Sequence, residues 1–402
     1  MSETGPLDLV LYAILLFPLL LIVFDSACRL LFLIVIHLPE APNDARNDES
    51  GNLRLLLLVV AHNEQETIEQ TLALIKAQTD ADDASRVAVL ADHCTDETAS
   101  IATRMGARVC SRDEGCQGKS QALAWFADHS EDLLSSADAV TVLDADTLVD
   151  AGFTQGMRAA FRPGVQVVQA RVNPLSKNGF PVTTLVSFSE ILSGKIDDAA
   201  RSRLHWSVPL RGTGMAFRTP TFMRACRELG TQVDDIELSV RLAELGIAVR
   251  LAPHAAVDDP KSDHMLGLAR QRGRWLKGQR QIWKTKGANI LRLLNSGLPN
   301  WSLIQALLLK PKTALVAMRL VMLALLWAGP FQDTPLHTLI LGAVLGSLMV
   351  DMLYYVTGLR FTGNAGKYLI SLLTSPILLA LWVISWVYSL LPTQEWLRAQ
   401  DK

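Results

Sequence analysis

Acids gather where apolar runs stop. The segment "AVTVLDADTLVD", residues 139–150, starts apolar and β-branched and ends in carboxylates two residues apart, Asp144 and Asp146. Asp92 closes "RVAVLAD" with Asp96 just beyond it, and His62, Asn63 and Glu64 follow "LRLLLLVV". Each alone reads equally well as a turn residue or cap, because Asp and Asn bond readily to nearby backbone. Delivered together to one crevice, the same carboxylates offer hard oxygen donors for a divalent cation and acceptors for a polar ligand.

Further along, Asp234 and Asp235 stand ahead of a helical pattern whose apolar stripe is Ile236, Val240, Leu242 and Leu245. The plain reading is capping, with acids placed favourably at the helix dipole. Gln271, Arg274 and Trp275 lie in the basic stretch "QRGRWLKGQR". For Lys277, Arg280, Lys284 and Lys286 the expected partner is anionic lipid headgroups. "GCQGKS", 115–120, ends like a phosphate-binding loop, but Asp113 occupies the position where that pattern needs glycine. Lys119 is left as a cation at a helix start near the same acids.

The elements that must hold these residues alternate. The apolar run 53–60 has strand length, and Ile68, Leu72 and Ile75 after it share one helical face. The pattern continues as strand 86–92, helix 97–106, strand 107–111, helix 120–129 and strand 139–144. Strands that alternate with helices and are apolar on both faces predict an α/β fold with a mainly parallel, doubly wound sheet. In such sheets ligands bind beyond the carboxyl ends of the strands, which puts the acids of three strand ends on one rim.

Apolar segments flank this unit. Residues 7–38 are long for one membrane span and short for two, so a single tilted helix is expected, with Asp25 and Arg29 paired four residues apart. A cleaved signal peptide fits less well, because no basic start precedes the run. Three further spans are expected at about 314–331, 336–357 and 369–391, the first short unless residues from Leu307 join it. The predicted organisation is an N-terminal transmembrane helix, a soluble domain over 45–300 and a membrane region over 301–395. From Met265 to Lys312 there are ten Lys and Arg and no acid, so the positive-inside rule places the domain in the cytoplasm, on an inner (plasma) membrane. Arg360 and Lys367 agree with this orientation; Arg398 and Lys402 oppose it mildly. The formal charge of -2 gives no reason to expect nucleic acid as a partner, and five cysteines without CxxC spacing suit a reducing compartment without structural zinc.

Taken in order, "AHNE", the acid of "LADHCTD", "GKSQAL", "LDAD", "DDIELSVRL" and "QRGRW" resemble the membrane-bound family 2 glycosyltransferases with a D, D, D, QxxRW signature. That group includes cellulose, hyaluronan and poly-N-acetylglucosamine synthases, and ceramide glucosyltransferases share a related signature. The resemblance implies a glycosyltransferase A fold, a nucleotide-diphosphate sugar as donor, with a UDP-sugar favoured, and Mn2+ or Mg2+. It assigns Glu64 and Asp92 to the nucleoside with Lys119 nearby, Asp144 to ribose or sugar, and Asp146 to the metal. Asp235 becomes the general base, Gln271 and Arg274 hold the diphosphate, and Trp275 lies beneath the acceptor sugar. The family's Thr-Glu-Asp is here Val233, Asp234 and Asp235, and His62 stands where an aromatic residue is common. "RGTGMAFR", 211–218, resembles a strand and turn lining the acceptor site, and no counterpart of a gating loop follows Trp275.

The implied reaction is inverting hexosyl transfer to a lipid or saccharide acceptor at the membrane, in glycolipid or polysaccharide biosynthesis. Two alternatives stand beside it: a processive polysaccharide synthase working with a partner subunit or as a homo-oligomer, and a non-catalytic sugar-nucleotide sensor or scaffold.

Overall fold

The structure is a computed structural model of the 402-residue chain, and it describes residues 6–39, 53–79, 85–175, 181–261, 265–309, 312–328 and 334–391. In chain order its elements begin with α1 (Pro6–His37), β1 (Leu55–Ala61), α2 (Ile68–Thr79), β2 (Ser85–Asp92), α3 (Thr98–Arg104), β3 (Arg108–Arg112), α4 (Lys119–His129), α5 (Glu131–Ser135) and β4 (Ala139–Asp144). There follow β5 (Leu148–Val149), α6 (Phe153–Ala160), β6 (Val167–Leu175), α7 (Pro181–Leu192), a π-helical turn (Ser193–Asp198), α8 (Ala199–Arg203), β7 (Met215–Arg218), α9 (Thr219–Cys226), α10 (Asp234–Glu244) and β8 (Val249–Pro260). The last described elements are helices: α11 (Met265–Leu294), α12 (Leu298–Leu308), α13 (Lys312–Ala328), α14 (Pro335–Leu359), α15 (Ala365–Ser371) and α16 (Ser375–Leu390).

The strands form one sheet in the order β3-β2-β1-β4-β7-β6-β8-β5. β3, β2, β1, β4, β6 and β8 run one way, and β7 and β5 run against them, so the sheet is mainly parallel as expected. The reason β1 is apolar throughout is visible in its packing. Leu56, Leu58 and Val60 pack with Phe126 and Phe222 on one face, while Leu55, Leu57 and Val59 pack with Leu72 and Phe153 on the other. Side chains alternate across a strand, so a strand covered on both faces has no position to spare for a polar residue until it ends. Ile68, Leu72 and Ile75 supply the covering face of α2, and all three are buried.

At the other side of the domain, Phe32 and Leu33 of α1 meet Val182 and Phe188 of α7, Tyr354 of α14 and Leu381 of α16 in a shared apolar cluster. Among the described residues, three helices are long and apolar enough to cross a membrane: Leu15–His37, Pro335–Leu359 and Ala365–Leu390. The span expected at 314–331 is different. Helix α13 has 17 residues, and it reaches spanning length only if joined to α12 across a 96° bend, giving up to four spans by length and composition. Residues 329–331 of that expected span, and 45–52 of the expected domain, lie outside the described residues. Apolar side chains such as Phe17, Leu339, Met349 and Val383 face outward on these helices, a surface suited to hydrocarbon.

Asp25 and Arg29 pair as expected, at 3.1 Å, but they belong to a larger set. Arg319 reaches Asp25 at 2.7 Å and Asp351 at 3.2 Å, and Arg29 also bonds Asp351. Two arginines and two aspartates, all buried, thus tie α1, α13 and α14 together.

Candidate active site

Because β1, β2 and β4 are parallel neighbours, with Val60 opposite Asp144 in register, the segments after them open on the same edge of the sheet. The acids of that edge fall into two groups. In the first, Asp92 is fully buried and its carboxylate is shared out within the protein. One oxygen accepts from Arg112 and lies 3.0 Å from His93 Nδ1; the other accepts from the Gly118 amide at 3.0 Å. Arg112 also donates to the Cys116 carbonyl at 2.8 Å, so Asp92 and Arg112 together shape residues 112–118 over the rim. His62 Nδ1 lies 2.7 Å from the Asp92 carbonyl, and Gln117 Nε2 lies 2.6 Å from His62 Nε2. Glu64 is buried beside them and accepts from Thr67 Oγ1 at 3.0 Å. Asp96 plays the plain part: it accepts from the Thr98 amide at 3.0 Å and from the Gln65 amide at 3.2 Å.

The second group is where chemistry can concentrate. Lys119, in the first turn of α4, donates to Asp144 at 2.6 Å and to the Gly212 carbonyl at 2.7 Å, and lies 3.6 Å from Asp234. Its ammonium is costly to bury, but Asp144 and Asp234 outweigh that cost and hold it well above the usual lysine value. Burial, helped by Asp235 and Asp144 and opposed by Lys119, pushes the Asp234 carboxyl up to about 6. Asp235 accepts from the Ile236 amide at 2.9 Å through one oxygen. Arg274 on α11 lies within the field of Asp234, Asp144 and Asp235, yet burial still pulls its guanidinium below the ordinary arginine value. Its Nε is buried and has no hydrogen-bond partner among the described residues. Gln271 is half-buried one turn before it.

The loop 211–214 closes this group from β7. The Thr213 hydroxyl accepts from the Asp144 amide at 3.2 Å, and Gln169 Nε2 donates to the Thr213 carbonyl at 2.9 Å. Gly214 has φ +65°, and a Cβ there would sit 3.0 Å from Ala170 Cβ, so both conformation and space require glycine.

Asp235 and Trp275 also line a cavity of about 730 Å³ between the domain and the apolar helices. Trp275 packs against the apolar cluster that includes Val233 and Ile236. The opposite wall comes from α1, α13, α14 and α16 through residues such as Phe32, Leu320, Met352 and Trp382.

The structure therefore brings together Lys119, Asp144, Asp235 and Arg274, sets Glu64 and Asp92 in a separate group on the same edge, and puts Trp275 on the cavity wall. Asp146 is buried, two residues past the end of β4. Among the described residues, no group of three His, Cys, Asp or Glu side chains gathers that could hold a metal alone. The donor chemistry of Asp144 and Asp146 still fits Mn2+ or Mg2+, which commonly take one or two carboxylates and complete their shell with substrate phosphates and water. Sequence reading missed Arg112, Gln117, Thr213 and Gln169, whose roles arise from contacts across 20 to 69 positions of chain. The segment 211–218, with glycines on either side of Thr213, was the sign of that loop in the sequence.

Comparison with known proteins places these residues in a family. Residues 53–278 match the profile described as Glycosyltransferase like family 2. An uncharacterized glycosyltransferase of Mycobacterium tuberculosis is 28% identical over 149 residues, which are 37% of this chain and 62% of that relative's length. Among solved structures, a mannosyltransferase from Pyrobaculum calidifontis, in complex with GDP-Man and Mn2+, is 19% identical with a TM-score of 0.49, covering 92% of this chain and 97% of that one. Mannosyl-3-phosphoglycerate synthase from Rubrobacter xylanophilus is 20% identical with a TM-score of 0.41, covering 62% of this chain and 80% of that one. The matched residues run from the first sheet strand through Trp275 and include both acidic groups, and the chain belongs to the glycosyltransferases of family 2, with their glycosyltransferase A-like fold.

Proposed function

We propose that this glycosyltransferase moves a sugar from a nucleotide-diphosphate donor, with UDP-sugars the first to test, to an acceptor held at the membrane, with inversion at the anomeric carbon. The observation that carries this reading is the cavity that has Asp235 and Trp275 in one wall and, in the other, apolar helices that include three long enough to cross a membrane. An acceptor lying there would present its hydroxyl to a carboxylate while its apolar part stays among the helices. The resemblance to the D, D, D, QxxRW signature supports the same roles.

In this reading Glu64 binds the nucleoside and Asp144 faces ribose or sugar, while Asp92, expected at the nucleoside, is fully buried and instead holds Arg112 and the Gly118 amide beside it. One Asp235 oxygen is fixed by the Ile236 amide. Its other oxygen accepts the acceptor hydroxyl's proton as attack proceeds, because a neutral hydroxyl is a poor nucleophile. Attack from the side opposite the leaving group inverts the sugar. Charge then builds on the departing diphosphate, where the Arg274 guanidinium, with an unpartnered Nε, and Gln271 receive it. Mn2+ or Mg2+ held by Asp146 would supply further positive charge there when bound. Trp275 offers an apolar face for the acceptor sugar.

The ten basic residues between Met265 and Lys312 support a cytoplasmic catalytic domain. Membranes carrying the protein, supplied with Mn2+ and labelled UDP- and GDP-sugars, test the reading. Label in organic-extractable lipid is the expected result. Label confined to a large, glycosidase-sensitive polymer would favour the processive alternative, and no incorporation from any donor would overturn both.

A further inference from the structure

The cavity wall is rich in charge, and most of that charge is already paired. Lys312 bonds Asp197 at 2.8 Å, Arg211 bonds Asp198, and Lys261 lies 2.8 Å from Glu190 and 2.6 Å from Asp259. Three cations on the same wall have no such acid among the described residues: Arg171, Lys195 and Arg272.

Arg272 is the clearest case. It is only 4% exposed, and its Nε and one terminal nitrogen have no hydrogen-bond partner among the described residues. Its guanidinium lies 5.3 Å from the centre of the Trp382 ring, which offers a weak cation–π contact and no hydrogen bond. The carboxylate whose charge it feels is Glu190, which Lys261 already holds. Burial draws Arg272 down to about 10. A buried, unpaired cation is expensive, and such groups are normally matched by an anion.

The other two cations sit on irregular backbone. Arg171 follows a register shift in the β6–β8 pairing, a bulge of the kind that re-aims a side chain, and its Nε is also unpartnered. Lys195 lies in the π-helical turn after α7, and its ammonium is held below the usual value by burial and then by Arg171. Three cations are thus turned toward one cavity that also holds Asp235.

Resting on the acceptor reading above, we propose that Arg272, Arg171 and Lys195 form a binding site for an anionic group, a phosphate or carboxylate, carried by the molecule that occupies this cavity. The apolar wall beyond them suits a phosphate headgroup on a hydrocarbon tail, while a soluble phosphate shares the same recognition chemistry.

The test uses the full chain in neutral detergent without donor, and compares binding of monododecyl phosphate, dodecanol and inorganic phosphate. Wild type should prefer dodecyl phosphate over dodecanol by at least about tenfold, the effect of one charge-assisted hydrogen bond. Arg272→Gln should bring the two ligands within about threefold, and Arg272→Lys should restore part of the preference. Inorganic phosphate binding as tightly as dodecyl phosphate would make the natural ligand a soluble anion; dodecyl phosphate binding far more tightly would make it a lipid headgroup. Lys195→Gln, in a less buried position, should lower the preference too, so the test survives if Arg272→Gln does not fold. Equal binding of dodecyl phosphate and dodecanol by wild type, or an unchanged preference in folded Arg272→Gln, would overturn the site. Since no donor is present, that result leaves the transfer reading standing. An intact anion preference in protein that shows no sugar transfer would sink that reading and keep the site.

Discussion

Asp234 shows how much a single carboxylate costs at this site. Burial comes first among the causes of its raised value, with Lys119 opposing and Asp235 and Asp144 adding to it. The folded chain therefore holds this proton more tightly than the unfolded chain does. Stability linked to the group is fully present below the unfolded value of 3.8 and falls as pH rises toward about 6. Asp234→Asn should accordingly raise the thermal unfolding midpoint at pH 7, and the gain should vanish near pH 4; a gain that does not change with pH would contradict this. Some of the group was legible in the sequence and some was not. Asp144, Asp235 and Arg274 sit in motifs whose spacing survives in one dimension. Arg112 and Arg272 do not: a lone arginine carries no sign that its partner is a buried carboxylate 20 positions away, or that two of its nitrogens find no hydrogen-bond partner among the described residues.

Helices α10 and α11 set the distance between the acids and the arginine. Gly278 makes this close approach possible, because a Cβ there would lie 2.6 Å from the Val233 methyl carbons. Val233 directly precedes Asp234 and Asp235, so any side chain at 278 pushes on the residues proposed to do the chemistry. Gly278→Val should cost about 1–3 kcal/mol of stability as overpacking. It should also lower turnover at least tenfold, with donor KM changed much less. Stability lost with turnover unchanged would show that the acids do not depend on this contact. The first half of the sheet was legible for a related reason: β1, β2 and β4 are buried on both faces, so their apolar runs are continuous and their ends abrupt. β6 and β8 break that pattern, with several half-buried or exposed positions and a register shift, and β7 is only four residues long and antiparallel. Non-local pairing defines these strands, and a local pattern gives little sign of it.

Across the whole molecule, the sheet domain is fastened to the apolar helices by packing around Phe32, Phe188 and Tyr354 and by the buried set Asp25, Arg29, Arg319 and Asp351. Removing one acid leaves two buried arginines sharing one carboxylate. Asp351→Leu should therefore destabilise the chain by about 3–5 kcal/mol, seen as a lower unfolding temperature in detergent. Wild-type stability in that variant would mean the set does not fasten the helices. In the proposed reaction Asp235 takes the acceptor's proton during sugar transfer at the membrane face of the domain. Comparing wild type with Asp235→Asn, in membranes supplied with Mn2+ and the labelled donor that wild type uses, tests it most directly. Asp235→Asn should bind donor with near wild-type affinity and lose at least about a hundredfold in transfer, as expected for loss of a general base. Transfer at the wild-type rate by folded Asp235→Asn would contradict it.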